Sequence, residues 1–369
     1  MTIDLNLSGG PFAAVDSAAL RHNLQVVRNT APRSKVLAVV KANAYGHGLV
    51  QVAQTLISAD GFGVARLREA IALRESGIGQ PVVLLEGVFS HAEFDAAARM
   101  NFEIVVHSFE QIDALETWHA SKPLSVWCKI DTGMNRLGFR VEDFTDAWSR
   151  LSACRNVQSR LRVMTHLADA DERNDERTPK QIERFNALVK DLNVERSIGN
   201  SAGTLAWADS RVEWVRPGLM LYGMSPFAHS SASDIGLHPA MTLSTPLITV
   251  REVKAGEQVG YGGHWQAKRD TRVGIAAVGY GDGYPRHIRT GAPVLIRGKR
   301  ANIVGRVSMD MIAIDLSPLG DSVAASVMPG DTVVLWGKGL PAEEVATYAE
   351  TIPYELVCGI SQRVAMGYR

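Results

Sequence analysis

VLAVVKANAYGHG, residues 36–48, is an apolar run of strand length that stops at a lysine and passes into a segment broken by Gly46 and Gly48. The residues that follow, Leu49–Ala59, space their apolar side chains at helical intervals. The same alternation continues down the chain. Apolar runs recur at Gly61–Ala65, Val82–Leu85, Glu103–Val106, Val126–Ile130, Arg162–Thr165, Ser197–Ser201 and Trp214–Gly218, which with Val36–Val40 makes eight. Helical spacing lies between them at Arg66–Glu75, His91–Met100, Glu142–Ala153 and Pro179–Leu192. Eight strand–helix pairs of roughly 20–35 residues each predict an α/β fold, a (β/α)8 TIM-type barrel. A doubly wound open sheet is the alternative, but it does not need eight units.

Two pieces fall outside the count. Pro11–Val15 reads as an extra strand before a helix capped by Asp16 or Ser17. After about Ser225 the texture changes to closely spaced runs, Leu247–Val253, Arg272–Val278, Ala292–Ile296, Met311–Leu316 and Asp331–Trp336, separated by Gly, Asp and Pro. With one helix at Pro341–Thr351, this predicts a C-terminal, mainly β domain. The boundary is expected between Gly223 and Met241, in the Ser/His/Pro-rich stretch His229–Pro239. The expected division is therefore 1–235 for the barrel and 236–369 for the β domain, with residues before about 16 able to pair with the latter.

A chain of 369 residues exceeds what one core usually holds, in keeping with two domains. Lys plus Arg and Asp plus Glu are equal at 39, so no electrostatic footprint for nucleic acid or an anionic membrane is expected. No apolar stretch approaches the 18 or so residues of a membrane helix, and the first dozen residues lack a secretory pattern, which predicts a cytoplasmic enzyme. Cys128, Cys154 and Cys358 fit neither a disulfide framework nor a metal-ligand spacing and are expected reduced and mostly buried.

In a (β/α)8 barrel the chemistry sits at the C-terminal ends of the strands. The first ends at Lys41, where partial burial lowers an amine pKa and readies it for a Schiff base; the plain alternative is a lysine snorkelling to the rim. The fifth ends in KIDTGMNRLG, residues 129–138, which brings Lys129, Asp131 and Arg136 to the mouth. The sixth ends at His166, the seventh at Ser201, the eighth at Arg216 followed by Gly218 and Leu219. Small residues at the last two ends let backbone N–H groups approach a phosphate. A lone histidine is more often structural than catalytic, but Lys41, Arg136, His166, Ser201 and Arg216 on one rim make chance the weaker account.

In order and spacing, VKANAYGHG, KIDTGMNRLGF, THLADAD, NSAG, RPGLMLYG, VGYGGHW, VGYGDGYPR, VSMDM and IPYELVCGISQRV resemble alanine racemase, from about Phe12 to Arg363. The lysine motif is shared with other barrel-type pyridoxal enzymes, whereas VGYGGHW and VGYGDGYPR are closer to alanine racemase itself.

The resemblance implies pyridoxal 5'-phosphate as cofactor, a small amino acid as substrate, and two-base racemisation of L- and D-alanine, making D-alanine for peptidoglycan or degrading it. Lys41 is implied as the lysine that carries the cofactor and as the base for the D-enantiomer's face. Tyr261 is implied as the opposite base, reaching the site of the other subunit of a homodimer; from spacing alone it reads as a turn residue of a Gly-rich hairpin. His166 is implied as the hydrogen-bond partner of Tyr261, with Arg216 behind it. Arg216 is further implied to face the cofactor's ring nitrogen, where a cation with no lone pair favours the unprotonated ring, weakens the electron sink and disfavours transamination. Tyr45, Ser201, Tyr354 and the N–H groups of Gly218 and Leu219 are implied phosphate ligands. Arg136 and Met309 are implied to contact the substrate carboxylate, and Tyr280 to line the entrance across the dimer. Lys129 matches a position often carbamylated, the alternative being an unmodified lysine paired with Asp131. Leu167 and Ala365 depart from the common pattern, where Phe and Pro are usual.

Other functions are less well supported. A metallohydrolase would carry a His-x-His after the first strand, and none is there. A non-catalytic pyridoxal-phosphate carrier would end with the barrel, and a decarboxylase of this fold would carry a C-terminal cysteine region that Cys358 matches poorly. A broad-specificity or serine-preferring racemase is the nearest competitor, although Tyr354 near the substrate side chain leaves little room beyond a methyl group.

Overall fold

The structure is a computed structural model and describes residues 9–369. β1 (Phe12–Val15) precedes eight parallel strands that close on themselves: β2 (Lys35–Val39), β3 (Gly61–Val64), β4 (Val82–Leu84), β5 (Glu103–Val106), β6 (Ser125–Lys129), β7 (Arg162–Met164), β8 (Glu195–Ser197) and β9 (Trp214–Val215). Closure is made by β2 and β9, with Lys35 opposite Trp214 and Val36 opposite Val215. The (β/α)8 expectation holds.

Leu37, Val83, Val105, Trp127, Met164 and Trp214 fill one layer of the barrel interior. Trp127 meets Trp214 edge-on, ring centres 5.8 Å apart at 80°, a geometry that adds about 0.5–1.5 kcal/mol beyond the burial of the rings. Near this layer Arg162 bridges Glu103 (3.0 Å) and Glu195 (2.7 Å), and Glu103 also accepts from the Trp127 indole N–H at 2.6 Å. The charged residues at that end are therefore paired rather than open to a ligand.

Several helices start where a side chain takes up their orphan N–H groups. Asp16, not Ser17, caps the first helix by accepting from Ala18 and Ala19. Ser90 caps His91–Met100, which Asn101 ends in a left-handed conformation. The seventh run, expected as a strand over Ser197–Ser201, needs correction. The strand is Glu195–Ser197, and Ser201 already opens the helix Ser201–Ala206 because Asn200 caps it, accepting from the Gly203 N–H at 2.8 Å.

The C-terminal strands are β10 (Met241–Val253), β11 (Gln258–Val259), β12 (Trp265–Gln266), β13 (Thr271–Ala276), β14 (Pro293–Ile296), β15 (Lys299–Val304), β16 (Ile312–Asp315), β17 (Thr332–Trp336) and β18 (Ala365–Tyr368). β10, β13, β16, β15, β14 and β17 pair in that order, and β17 returns to β10, so six strands close a circuit. One long strand serves several partners: its first half pairs with β1 and β17 and its second half with β13, with register shifts near Ser244 and between Leu247 and Thr249. β1 lies between β10 and β18. Two compact units result, one made of Leu20–Leu221 and Ser225–Ser230, the other of the described residues through Ala19, Tyr222–Met224 and Ser231–Arg369.

Cys128 and Cys154 are buried, but Cys358 is exposed near the end of the short helix Pro353–Cys358, contrary to the expectation that the thiols are mostly covered. Among the described residues no helix is long and apolar enough to cross a membrane, and no group of three or more His, Cys, Asp and Glu is placed to hold a metal ion.

Candidate active site

Lys41 follows directly on β2 and its neighbour Val40, whose N–H donates to Gly63 O at 2.9 Å. The chain then does something unusual for L-residues. Ala42, Asn43, Ala44 and Tyr45 all lie in the left-handed region, with φ of 53°, 55°, 53° and 52°. Each such residue costs about 1–2 kcal/mol, and strain of this kind persists only where neighbours hold it. The turn carries Lys41 at one end and buried Tyr45 at the other.

Arg216 is 5 % exposed and extends from β9 beneath the mouth. Its Nη1 donates to Ser197 Oγ at 2.6 Å, and its Nη2 to Thr165 O at 2.5 Å and Ile198 O at 3.3 Å. Nη2 also lies 3.3 Å from His166 Nδ1. Burial pulls the guanidinium down to about 10, still far above neutrality, so it stays a cation. His166 is held well below the ordinary imidazole value, first by burial and then by the charges of Arg216, Lys129, Arg136 and Lys41. Four cations from three strand ends thus act on one imidazole.

Lys129, the last residue of β6, is 8 % exposed. Burial, followed by the charges of Arg216 and Arg136, lowers it to about 8. Asp131 raises it again but does not neutralise it. Its oxygens are turned onto the backbone N–H groups of Gly133 (2.9 Å), Met134 (2.9 Å) and Arg136 (3.1 Å), which shapes the loop that presents the exposed Arg136 side chain.

Ser201 Oγ accepts from the N–H groups of Gly218 at 3.0 Å and Met220 at 3.3 Å, so the loop after the eighth strand aims backbone donors at one oxygen. Gly218 is glycine for want of room: a Cβ there would lie 2.4 Å from the Tyr45 hydroxyl. Leu219 begins the short turn Leu219–Tyr222 and is buried.

The remaining candidates belong to the second unit. Tyr261 opens the turn Tyr261–Gly263 between β11 and β12 and is 70 % exposed. Tyr280 and Met309 are exposed on two segments tied by Tyr280 N–H to Ser308 O (3.1 Å) and Gly281 N–H to Met309 O (2.9 Å). Tyr354 is half-buried in the helix Pro353–Cys358.

Sequence reasoning passed over the residues that hold these loops. Gln181 accepts from Ala168 N–H (2.9 Å) and donates to His166 O (3.1 Å), clamping the loop after β7. Asp282 accepts from Gly279 N–H (2.9 Å) and pairs with Arg363 (3.2 Å), which also reaches Asp310 at 2.6 Å. Asp282 and Arg363 stand inside VGYGDGYPR and ISQRV, so the motifs contained them without revealing their roles. Gln181 had no signal beyond its place in a helix.

A closed parallel (β/α)8 barrel with Lys41, Lys129, Arg136 and Arg216 at its mouth, together with a mainly β domain, defines the class of protein as a barrel with a cationic strand-end rim. A profile of the alanine racemase N-terminal domain matches residues 15–226, and one of the alanine racemase C-terminal domain matches residues 240–368. An alanine racemase from Vibrio vulnificus is 50 % identical over 368 residues, covering 100 % of this chain and 98 % of the relative. One from Aeromonas hydrophila is 50 % identical over 357 residues, 97 % of this chain and 99 % of the relative. The crystal structure of the biosynthetic alanine racemase from Pseudomonas aeruginosa superposes with a TM-score of 0.94 at 43 % identity, covering 98 % of this chain and 100 % of that one. The alanine racemase of Acinetobacter baumannii gives 0.91 at 37 % identity, with 98 % and 100 % covered. The chain belongs to the alanine racemase family.

Proposed function

We infer that this chain interconverts L- and D-alanine with pyridoxal 5'-phosphate as its cofactor, in a homodimer whose sites each take Tyr261 from the other copy. The observation that carries the reading is the convergence of Lys41, Lys129, Arg136 and Arg216 on His166, in a chain that matches both domains of the family.

The donor set fits the cofactor. The Gly218 and Met220 N–H groups converge on the Ser201 hydroxyl, gathering these polar groups at one place, and Gly218 leaves the close approach to Tyr45 that a side chain would fill. Four cations suit a ligand with a phosphate and a second anionic group. Lys41 would hold the cofactor covalently, while Ser201, Tyr45, Tyr354 and the N–H groups of Gly218 and Leu219 would hold its phosphate. When bound, it supplies the electron sink that makes removal of a Cα proton feasible.

The chain's own residues divide the rest of the work. Lys41 Nζ takes or returns the Cα proton on one face and Tyr261 Oη on the other. Arg216 can only donate, so His166 presents its Nδ1 lone pair to Arg216 and keeps its proton on Nε2, free to be donated to the Tyr261 oxygen. That donation favours the anionic form of the phenol over the neutral one. Arg136 and the Met309 N–H bind the substrate carboxylate, and Tyr280 narrows the entrance. Lys129, as a carbamate, would become an acceptor that holds Arg136. We assign the cofactor site, apart from Tyr354, to residues 1–235 and the delivery of Tyr261 to residues 236–369.

Following optical activity of L-alanine, L-serine and L-lysine with the holoprotein tests the function. Alanine should racemise at least about tenfold faster than serine, the discrimination a tight methyl-sized pocket allows; no change with alanine, or faster turnover of serine, overturns the reading. Tyr261→Phe tests the faces. Exchange of the Cα proton for deuterium should fall about 100-fold or more from L-alanine and less from D-alanine, and equal losses would reject the assignment.

A further inference from the structure

Glu69 lies on the helix that follows β3, Leu67–Glu75, and one of its carboxylate oxygens is occupied locally: Oε2 accepts from the N–H groups of Ala65 at 2.9 Å and Arg66 at 3.0 Å. That is the ordinary work of an acid near a helix start. The other oxygen goes elsewhere. Oε1 accepts from the Ala42 N–H at 2.7 Å, across 27 residues of sequence. The Ala42 nitrogen belongs to the peptide unit that Lys41 shares with the left-handed turn. Because that unit is planar, a charge-assisted bond to its N–H fixes the orientation of the whole peptide and, through it, the backbone from which the Lys41 side chain leaves.

The turn needs such support. Four consecutive L-residues at positive φ are costly. Within the turn, Gly46 N–H donates to Ala42 O (3.1 Å), Gly48 N–H to Asn43 O (2.9 Å) and Leu49 N–H to Asn43 Oδ1 (2.9 Å). These bonds tie its far end, where Tyr45 sits, back to Ala42 and Asn43, and Ala44 N–H donates to Val40 O (2.8 Å) across Lys41. Glu69 ties the near end to a helix anchored on the next barrel strand.

We propose that Glu69 is a positioning residue whose carboxylate locks the Lys41–Ala42 peptide, and so presets the Lys41 amine relative to Tyr45 and the phosphate donors before the cofactor arrives. This rests on the reading of Lys41 as the cofactor's anchor. Glu69→Gln is close in shape but turns one acceptor into an NH2 donor that must face an N–H. Glu69→Asp, shorter by one CH2, reaches its own helix or Ala42 but not both, and keeps the proposal testable if the amide variant does not fold.

Two measurements separate positioning from mere stability. In the apoprotein, amide hydrogen exchange over residues 41–48 should speed up at least about tenfold in either variant while exchange in β6 and β7 stays unchanged. In a cofactor titration, affinity for pyridoxal phosphate should fall about tenfold or more. Glu103→Gln, which removes the ion pair with Arg162 at the start of β5, should lower the melting temperature yet leave that affinity within about twofold. Unchanged exchange over 41–48, unchanged affinity in both Glu69 variants, or an equal loss of affinity in Glu103→Gln overturns the proposal. Borohydride reduction and peptide mapping of the unmutated holoprotein check the anchor independently: label on a residue other than Lys41 refutes the underlying reading, whatever the exchange data show.

Discussion

Arg216 Nη2 faces His166 Nδ1 at 3.3 Å, a permanent donor against a ring nitrogen that must therefore carry a lone pair. Burial is the first reason that His166 resists protonation and the Arg216 charge the second. In nitrogen-15 spectra of histidine-labelled protein, His166 should still be neutral at pH 6.5, where a free imidazole is half protonated, with Nδ1 bare and Nε2 protonated. In Arg216→Gln its pKa should rise but stay below the ordinary value, because burial remains. Protonation of His166 near pH 6.5 in the unmutated protein would contradict the arrangement.

His47, fully buried beneath the left-handed turn with Nδ1 2.8 Å from Tyr45 O, is lowered to about 4 by burial. The unfolded chain takes up the proton at about 6.5, so between 6.5 and 4 the unfolded state binds more protons and stability falls as pH drops. This one group should cost about 2 kcal/mol by pH 5. Urea unfolding at pH 7.5 and pH 5 measures the loss, and a His47→Gln variant should show a visibly smaller difference between the two. A difference as large as that of the unmutated protein would exclude His47 as a source.

Lys129, at about 8, has an appreciable neutral fraction at physiological pH, and only the neutral amine adds to carbon dioxide, releasing a proton as the carbamate forms. Under carbon-13-labelled carbon dioxide at fixed partial pressure, a carbamate resonance should grow as pH rises through 8 and vanish in Lys129→Gln. A resonance that survives the substitution would place the modification elsewhere.

Gly218 and Tyr45 share a space that a methyl group would fill: a Cβ at 218 meets the Tyr45 hydroxyl at 2.4 Å. The backbone at Gly218 needs no positive φ, and the obstacle is the end of a side chain, so Gly218→Ala should fold and displace Tyr45. Affinity for pyridoxal phosphate should fall about tenfold, the worth of one good charge-assisted hydrogen bond, with a melting temperature within a few degrees of the unmutated protein. Unaltered affinity would remove Tyr45 and the 218 loop from the phosphate site.

The barrel was legible because each unit announces itself locally. An apolar run of strand length followed by a helical period needs no knowledge of the rest of the chain, and Val36–Val40 and Glu103–Val106 were located closely. The seventh strand was misplaced because Asn200 has the chemistry of a cap, which outweighs the apolar character around it. In the β domain the runs were visible but not Lys299–Val304 or Ala365–Tyr368 as strands, since their side chains are partly exposed and their pairing partners lie far off in sequence. The candidate residues at the barrel mouth were named from strand ends and from the family resemblance. Glu69, Gln181, Ser197, Asp282 and Arg363 were not, because each works by reaching a distant backbone or side chain.

The amino-acid order alone determined the succession of strands and helices and the identity of the reactive groups at their ends, because hydrophobic period and turn chemistry are properties of neighbouring residues. Tertiary structure alone decided that Lys129 is lowered to about 8 and that His166 is held well below the ordinary imidazole value. It also decided that four L-residues after Lys41 twist to the left under the hold of Glu69. Burial and through-space charge depend on which strand ends face one another around a closed barrel, and no stretch of neighbouring residues contains that distance.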